Sequence, residues 1–194
     1  WGRLRRRIWG RIWRWRWFRR WRRRVGELVM TLKRILKHWK MPIRRVGQHF
    51  GPATLAAIER AIGESEEQHR GEIRFVVEGR LSLLQLLRDL TARQRAEGQF
   101  RQLGIGNTEE HSGILFYILL AERQVEIVAD TGITAQVAQT EWDALCRRMT
   151  LAFAAGHYQA GALAGIAGAT TLLSQHFPAR PGNPNELEDA PLVL

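Results

Sequence analysis

The stretch GILFYILLAERQVEIVADTG, residues 113–132, constrains the fold more than any other part of this chain. Ile114 to Leu120 is an unbroken apolar run rich in β-branched and aromatic side chains, which suits a strand covered on both faces. Ala121-Glu122-Arg123-Gln124 is a short polar break. Val125, Ile127 and Ala129 then alternate with Gln124, Glu126 and Val128, the pattern of a second strand with one face less covered. Two such runs around a short polar link predict an antiparallel hairpin. A hairpin brings the loop Asn107 to Ser112 and the tripeptide Asp130-Thr131-Gly132 to one pole of the sheet.

Upstream, EIRFVVEG alternates Ile73, Phe75 and Val77 with Arg74 and Glu78, which reads as a strand. Between it and the hairpin, Leu81 to Leu90 and Ala92 to Leu103 read as two helical pieces. Leu83, Leu84, Leu86, Leu87 and Leu90 supply the apolar face of the first, and Thr91 with Gln94 forms a capping box for the second. A strand, a helical crossover and a strand imply that the first two strands run parallel. Gly51-Pro52 opens an earlier helix carrying Leu55, Ile58 and Ile62, with Glu64, Glu66 and Glu67 in its later part and Gly71 as its stop. Thr134 to Ala155 and Tyr158 to Phe177 are predicted helical. In the first of these Trp142, Leu145, Met149 and Phe153 step as a core stripe, and in the second Gly161, Gly165 and Gly168 permit close approach.

Charge divides the chain. The net charge is +11, and residues 1–29 alone hold twelve Arg against one Glu, so the remainder is balanced. Six of the eight Trp also fall before residue 22. For this low-complexity segment three readings stand. Arg and Trp suit a membrane interface. They also suit nucleic acid, through phosphate contacts and base stacking; under either reading Arg3, Trp9, Trp13, Arg16 and Trp17 are candidate contacts. The third reading is a misassigned start, since the first Met is Met30.

Thr31 to Lys40 places Leu32, Ile35, Leu36 and Trp39 on one helical face and Lys33, Arg34, Lys37 and Lys40 on the rest. This basic amphipathic helix is expected to dock its stripe on the domain or to lie on an anionic membrane. No stretch reaches the roughly 18–20 apolar residues of a membrane span, and no apolar signal region is visible, so the cytoplasm is the expected compartment, with peripheral membrane contact as the variant. The single Cys146 excludes an internal disulfide and reads as an inert, half-buried thiol. Pro178, Pro181, Pro184 and Pro191 with GNPNELED predict a disordered tail. The expected organisation is a tail over 1–29, the basic helix and a linker over 30–50, a domain over 51–177 and a disordered tail over 178–194.

GEIRFVVE, the Leu-rich crossover, the apolar strand beginning at Gly113, VEIVADTGI and AFAAGHYQAGALAGI together resemble the TPM domain family across roughly residues 53–175. That family includes a thylakoid-lumen photosystem II repair factor with acid phosphatase activity, nematode receptor-associated proteins and many bacterial envelope proteins. The resemblance implies an α/β fold, a three-layer αβα sandwich around a small mixed sheet, in a bacterial protein. Where many relatives carry an Asp-rich loop, this chain reads Gly106-Asn107-Thr108-Glu109-Glu110-His111-Ser112-Gly113.

The expected topology gathers His69, Glu72, Glu109, Glu110, His111 and Asp130 at one edge of the sheet. Clustered carboxylates beside an imidazole suit Ca²⁺ or Mg²⁺, which prefer oxygen ligands. Zinc is not favoured, because no HExxH or paired-Cys spacing is present. Glu109, Glu110 and Asp130 are the candidate metal ligands, with His69, Glu72 and His111 as polar neighbours. The alternative is a polar rim in which Asp130 caps its own turn. No nucleophile elbow, Walker loop or dinucleotide fingerprint occurs. Two functions follow: a non-catalytic module associated with a protein or membrane, or a divalent-metal-dependent phosphatase-like hydrolase acting at this pole. The expected partner is an unidentified protein, with contact to anionic membrane or nucleic acid through residues 1–45.

Overall fold

A computed structural model describes residues 31–42, 44–180 and 185–194. Residues 1–29, with the candidate contacts Arg3, Trp9, Trp13, Arg16 and Trp17, lie outside the described residues. In chain order the helices before the sheet are α1 (residues 31–39), α2 (Arg44–His49) and α3 (Pro52–Glu66). Strand β1 (Glu72–Glu78) leads through α4 (Leu83–Leu87) and α5 (Ala92–Gln102) to β2 (Gly113–Leu119) and β3 (Gln124–Ala129). Then follow α6 (Thr131–Thr134), α7 (Gln139–Ala154), α8 (Tyr158–His176) and β4 (Leu192–Val193).

Among the described residues the strands form one mixed sheet in the order β3-β2-β1-β4. β1 and β2 are parallel, with Phe75 opposite Phe116, and β2 and β3 form the antiparallel hairpin, with Phe116 opposite Ile127. The period-2 pattern sorts the side chains into two cores. Ile73, Phe75, Val77, Ile114, Phe116 and Ile118 face α3, α7 and α8, while Val76, Leu115, Tyr117 and Leu119 face α4 and α5. This is the three-layer αβα sandwich. The stripe Trp142, Leu145, Met149 and Phe153 is buried as expected. Gly165 and Gly168 let α8 approach α7 so closely that added methyl groups would meet Met149 and Leu145. Cys146 is half-buried on α7, and burial pushes its thiol up to about 12.

Strand β1 forms as expected, with all seven of its residues buried. Its charged side chains are covered and paired: Glu78 accepts from Tyr117 Oη at 2.7 Å and Arg95 Nε at 2.8 Å, and Arg74 meets Glu188 Oε2 at 2.7 Å. Three expectations change. The Leu-rich crossover is helical only over Leu83–Leu87, and of its expected apolar face only Leu86 is buried while Leu83, Leu84 and Leu87 stay exposed. Helix α1 docks, but with Arg34 and His38 turned inward and Leu32, Leu36 and Trp39 turned out. The tail expected to be disordered holds structure over residues 185–194, where β4 pairs in parallel with β1, Val76 opposite Leu192. Its prolines and charges disguised two apolar anchors, Leu187 and Leu192, which pack on the α4–α5 side of the sheet. Among the described residues no helix is long and apolar enough to cross a membrane.

Candidate functional site

The parallel start of β1 and β2 builds the expected pole. The Glu72 N–H donates to Ser112 O at 3.1 Å, the Asp130 N–H to Gly113 O at 2.9 Å and the Gly132 N–H to His111 O at 3.1 Å. Two glycines are required for this closeness. A methyl group on Gly113 would strike the Ile105 carbonyl oxygen, and one on Gly132 the carbonyl oxygens of Glu110 and His111. His111 itself turns the loop at φ +51, a left-handed conformation that costs a non-glycine residue roughly 1 kcal/mol.

Several of the side chains gathered there are engaged, by guanidinium groups or by backbone N–H groups. Glu110 pairs with Arg70 and, at 3.2 Å, with Arg180. Asp130 caps α6, its Oδ1 accepting from the Thr131 N–H at 2.7 Å. Its Oδ2 is buried without a hydrogen-bond partner, and His111 Nδ1 stands 3.4 Å away without meeting hydrogen-bond geometry. Glu109 is exposed, and its backbone N–H donates to Glu186 Oε2 at 3.0 Å. Glu72 is buried, and its Oε2 accepts from the backbone N–H groups of Glu186 and Leu187 at 3.2 and 3.1 Å. Burial pushes the Glu72 carboxyl up, against the pull of those two donors. His69 is fully buried, its Nδ1 accepts from the Gly71 N–H at 3.2 Å, and burial holds the imidazole down at about 4. The ring is therefore neutral at physiological pH, and its Nε2 is left without a partner.

The pole thus assembles as a place but not as a metal cage. Among the described residues no three His, Cys, Asp or Glu side chains form a group that could hold a metal ion. Glu109, Glu110 and Asp130 are not brought together as ligands. Glu110 is neutralised by two guanidinium groups, and one oxygen of Asp130 serves a backbone N–H. Calcium and magnesium need several uncommitted oxygens, so the residues present do not fit them.

Sequence reasoning missed the partners that arrive from far along the chain. Arg70, Arg180 and Glu186 close the pole. Beside them Glu66, Glu72, Arg180, Asn185 and Asp189 line an open cleft of about 420 Å³. Glu66 Oε1 accepts from the Ile73 N–H at 3.1 Å. Burial raises the Glu66 carboxyl to about 8, helped by the charges of Glu72 and Asp189. The only sequence signal for this group was the acidic end of α3; nothing in the sequence of residues 185–189 announces that they fold back.

A family model for the TPM domain matches residues 47–172. The chain belongs to the TPM domain family. Among solved structures, the BA42 protein of the psychrophilic bacterium Bizionia argentinensis is 27% identical, with a TM-score of 0.66 over 73% of this chain and 93% of that one. The N-terminal domain of a protein from P. gingivalis is 20% identical, with a TM-score of 0.53 over 66% of this chain and 81% of that one, a likeness of fold alone. No curated protein matches the chain. Within this TPM domain the matched residues include the hairpin, the pole and most of α8, whereas α1 and the returning segment 185–194 lie outside them.

Proposed function

We propose that this TPM domain is a non-catalytic module that acts by associating with a protein or a membrane. The observation that carries the reading is the internal pairing at the pole. Glu110 is held by Arg70 and Arg180, Glu72 by two backbone N–H groups and Asp130 by the N–H it caps. Phosphoester cleavage needs preorganised charge that is free to meet the developing transition state. Here the two guanidinium groups already face a carboxylate, and among the described residues no metal-ligand set stands ready to supply Lewis acidity. A hydrolase is the second reading, favoured by the unpartnered Asp130 Oδ2 beside His111.

One experiment separates the two. The full chain is assayed against p-nitrophenyl phosphate with Ca²⁺, with Mg²⁺ and with chelator, and its melting temperature is followed over the same additions. The expected result is no metal-dependent turnover and no rise in melting temperature, because an ion that binds only the folded state must raise its stability. Turnover that disappears with chelator, and disappears again in Asp130→Ala with the fold intact, overturns the non-catalytic reading.

A further inference from the structure

Helix α1 carries its apolar stripe on the side facing away from the domain. Leu32, Leu36 and Trp39 are 58%, 44% and 76% exposed. At about 100° per residue these positions share one narrow face of the helix. What fixes the helix in this rotation is polar. Arg34 Nε meets Glu122 Oε1 at 2.5 Å, and its Nη2 donates to Leu90 O at 2.5 Å. His38 is 1% exposed; its Nδ1 accepts from the Leu81 N–H at 3.0 Å, so its Nε2 donates to Glu122 Oε1 at 2.8 Å. Rolling the helix to bury the leucines would break these bonds and strand the Glu122 carboxylate and the His38 ring, a loss that opposes the turn. The stripe is therefore held out by design of its neighbours.

A second apolar face lies next to it. The same contacts place α1 against both ends of α4, at Leu81 and at Asp89–Leu90. On α4 itself Leu83, Leu84 and Leu87 are exposed. Among the described residues six of the nine exposed large apolar side chains thus belong to two adjacent helices, whereas Leu151 lies on α7 and Val193 and Leu194 lie at β4 and the residue after it. A grouping of that kind marks an interaction surface, not random surface composition.

Charge identifies what the surface fits. Lys33, Lys37 and Lys40 flank the stripe on α1, and Arg80 and Arg88 flank α4, all exposed. The chain preceding Thr31 adds twelve Arg and six Trp within residues 1–29. Leucines bounded by lysines, with a Trp at the margin, match the boundary between anionic headgroups and acyl chains. A nucleic acid would meet the cations but would leave the leucines against phosphates.

We propose that the exposed apolar face of α1 and α4 seats this domain on an anionic lipid surface, with Leu32, Leu36, Trp39, Leu83, Leu84 and Leu87 entering the interface and the flanking Lys and Arg pairing with phosphate. The proposal names a partner for the associating module and stands on residues remote from the pole, so its failure leaves the phosphatase test untouched.

The test uses the full chain carrying Cys146→Ser. A nitrobenzoxadiazole label is placed at Leu36→Cys, or as a control at Leu151→Cys on α7, which packs on the opposite face of the sheet. Vesicles of phosphatidylglycerol and phosphatidylcholine in equal parts should shift the label at position 36 to the blue and raise its intensity about twofold or more, with no response at position 151. Vesicles of phosphatidylcholine alone should give little. In the unlabelled chain Leu32→Ser with Trp39→Ser should lower vesicle partition by about tenfold at unchanged melting temperature. The proposal is overturned if the chain sediments with vesicles while position 36 stays silent, since residues 1–29 alone would then hold it. It is overturned equally if both positions respond alike, if a DNA duplex but not vesicles elicits the response, or if nothing binds.

Discussion

Replacing Glu78 with leucine tests whether β1 is held by the pairing of its buried charges. Glu78 is 5% exposed, and three donors converge on it: Tyr117 Oη at 2.7 Å, Arg95 Nε at 2.8 Å and Arg95 Nη2 at 3.3 Å. Leucine would gain about 1.5–3 kcal/mol of apolar burial. Against that, a buried Tyr117 hydroxyl left without its acceptor costs about 1–3 kcal/mol. An Arg95 charge left without its partner costs about 3–5 kcal/mol when fully buried. The Arg95 side chain is 20% exposed, so water recovers part of that loss. The net expectation is a destabilisation of about 2–4 kcal/mol, read as a lower urea midpoint at unchanged slope. The triple variant Glu78→Leu, Arg95→Met, Tyr117→Phe should then regain most of the loss, because an apolar replacement of a whole buried network is nearly neutral. A cost below about 0.5 kcal/mol for Glu78→Leu, or a triple variant no more stable than the single one, would refute the argument.

Two further outcomes follow from the geometry. Glu66 keeps its proton to about 8 in the folded chain against an ordinary value of 4.5, so its contribution is complete at acid pH and is lost as pH rises through about 8. His69 acts in the opposite sense, its contribution lost as pH falls from 6.5 towards about 4, and urea midpoints should therefore decline between pH 6.5 and 8 in the parent chain and stay flatter in Glu66→Gln. An unchanged slope in Glu66→Gln would show that the carboxyl is not the source. Gly113→Ala meets the backbone oxygen of Ile105, which cannot rotate away, and should cost about 3 kcal/mol or more, while Gly168→Ala meets the Leu145 side chain and should cost about 1 kcal/mol. Thermal melts giving the reverse order would mean that α7 and α8 are the more rigid pair.

The strands, the hairpin, the parallel pair and the α7 stripe were all legible in the sequence because each is written as a local period in apolar residues. The pole was legible too, since topology alone brings His69, Glu72, Glu110, His111 and Asp130 to one end. What could not be read was who answers whom across the chain. The Glu110 carboxylate has the same local sequence whether it waits for a metal or faces Arg70 and Arg180. For helix α1 the sequence left two places open for its stripe, the domain or a membrane, and could not choose between them; Glu122, far along the chain, captured Arg34 and His38 and so turned the stripe away from the domain. The alternation of Arg74 and Glu78 in β1 likewise says nothing of their partners, because a period-2 count cannot register that both charges are paired under the covering layer.

The returning segment 185–194 has a consequence for the order in which the sheet can be completed. Val76 waits for Leu192 across more than a hundred intervening residues, whereas β1, β2 and β3 assemble from neighbours much nearer in the chain. During synthesis the hairpin and β1 can therefore form while the far side of β1 still offers unpaired backbone groups. For that interval the nascent domain carries a sticky ribbon edge, the kind that recruits a second nascent chain on the same message. Arg74 limits the hazard, because a strand from another molecule would have to bring its own carboxylate and carbonyls to match those that Glu188 and Ala190 supply. The returning segment thus acts as a late, sequence-specific stopper for an edge that the other described strands leave open.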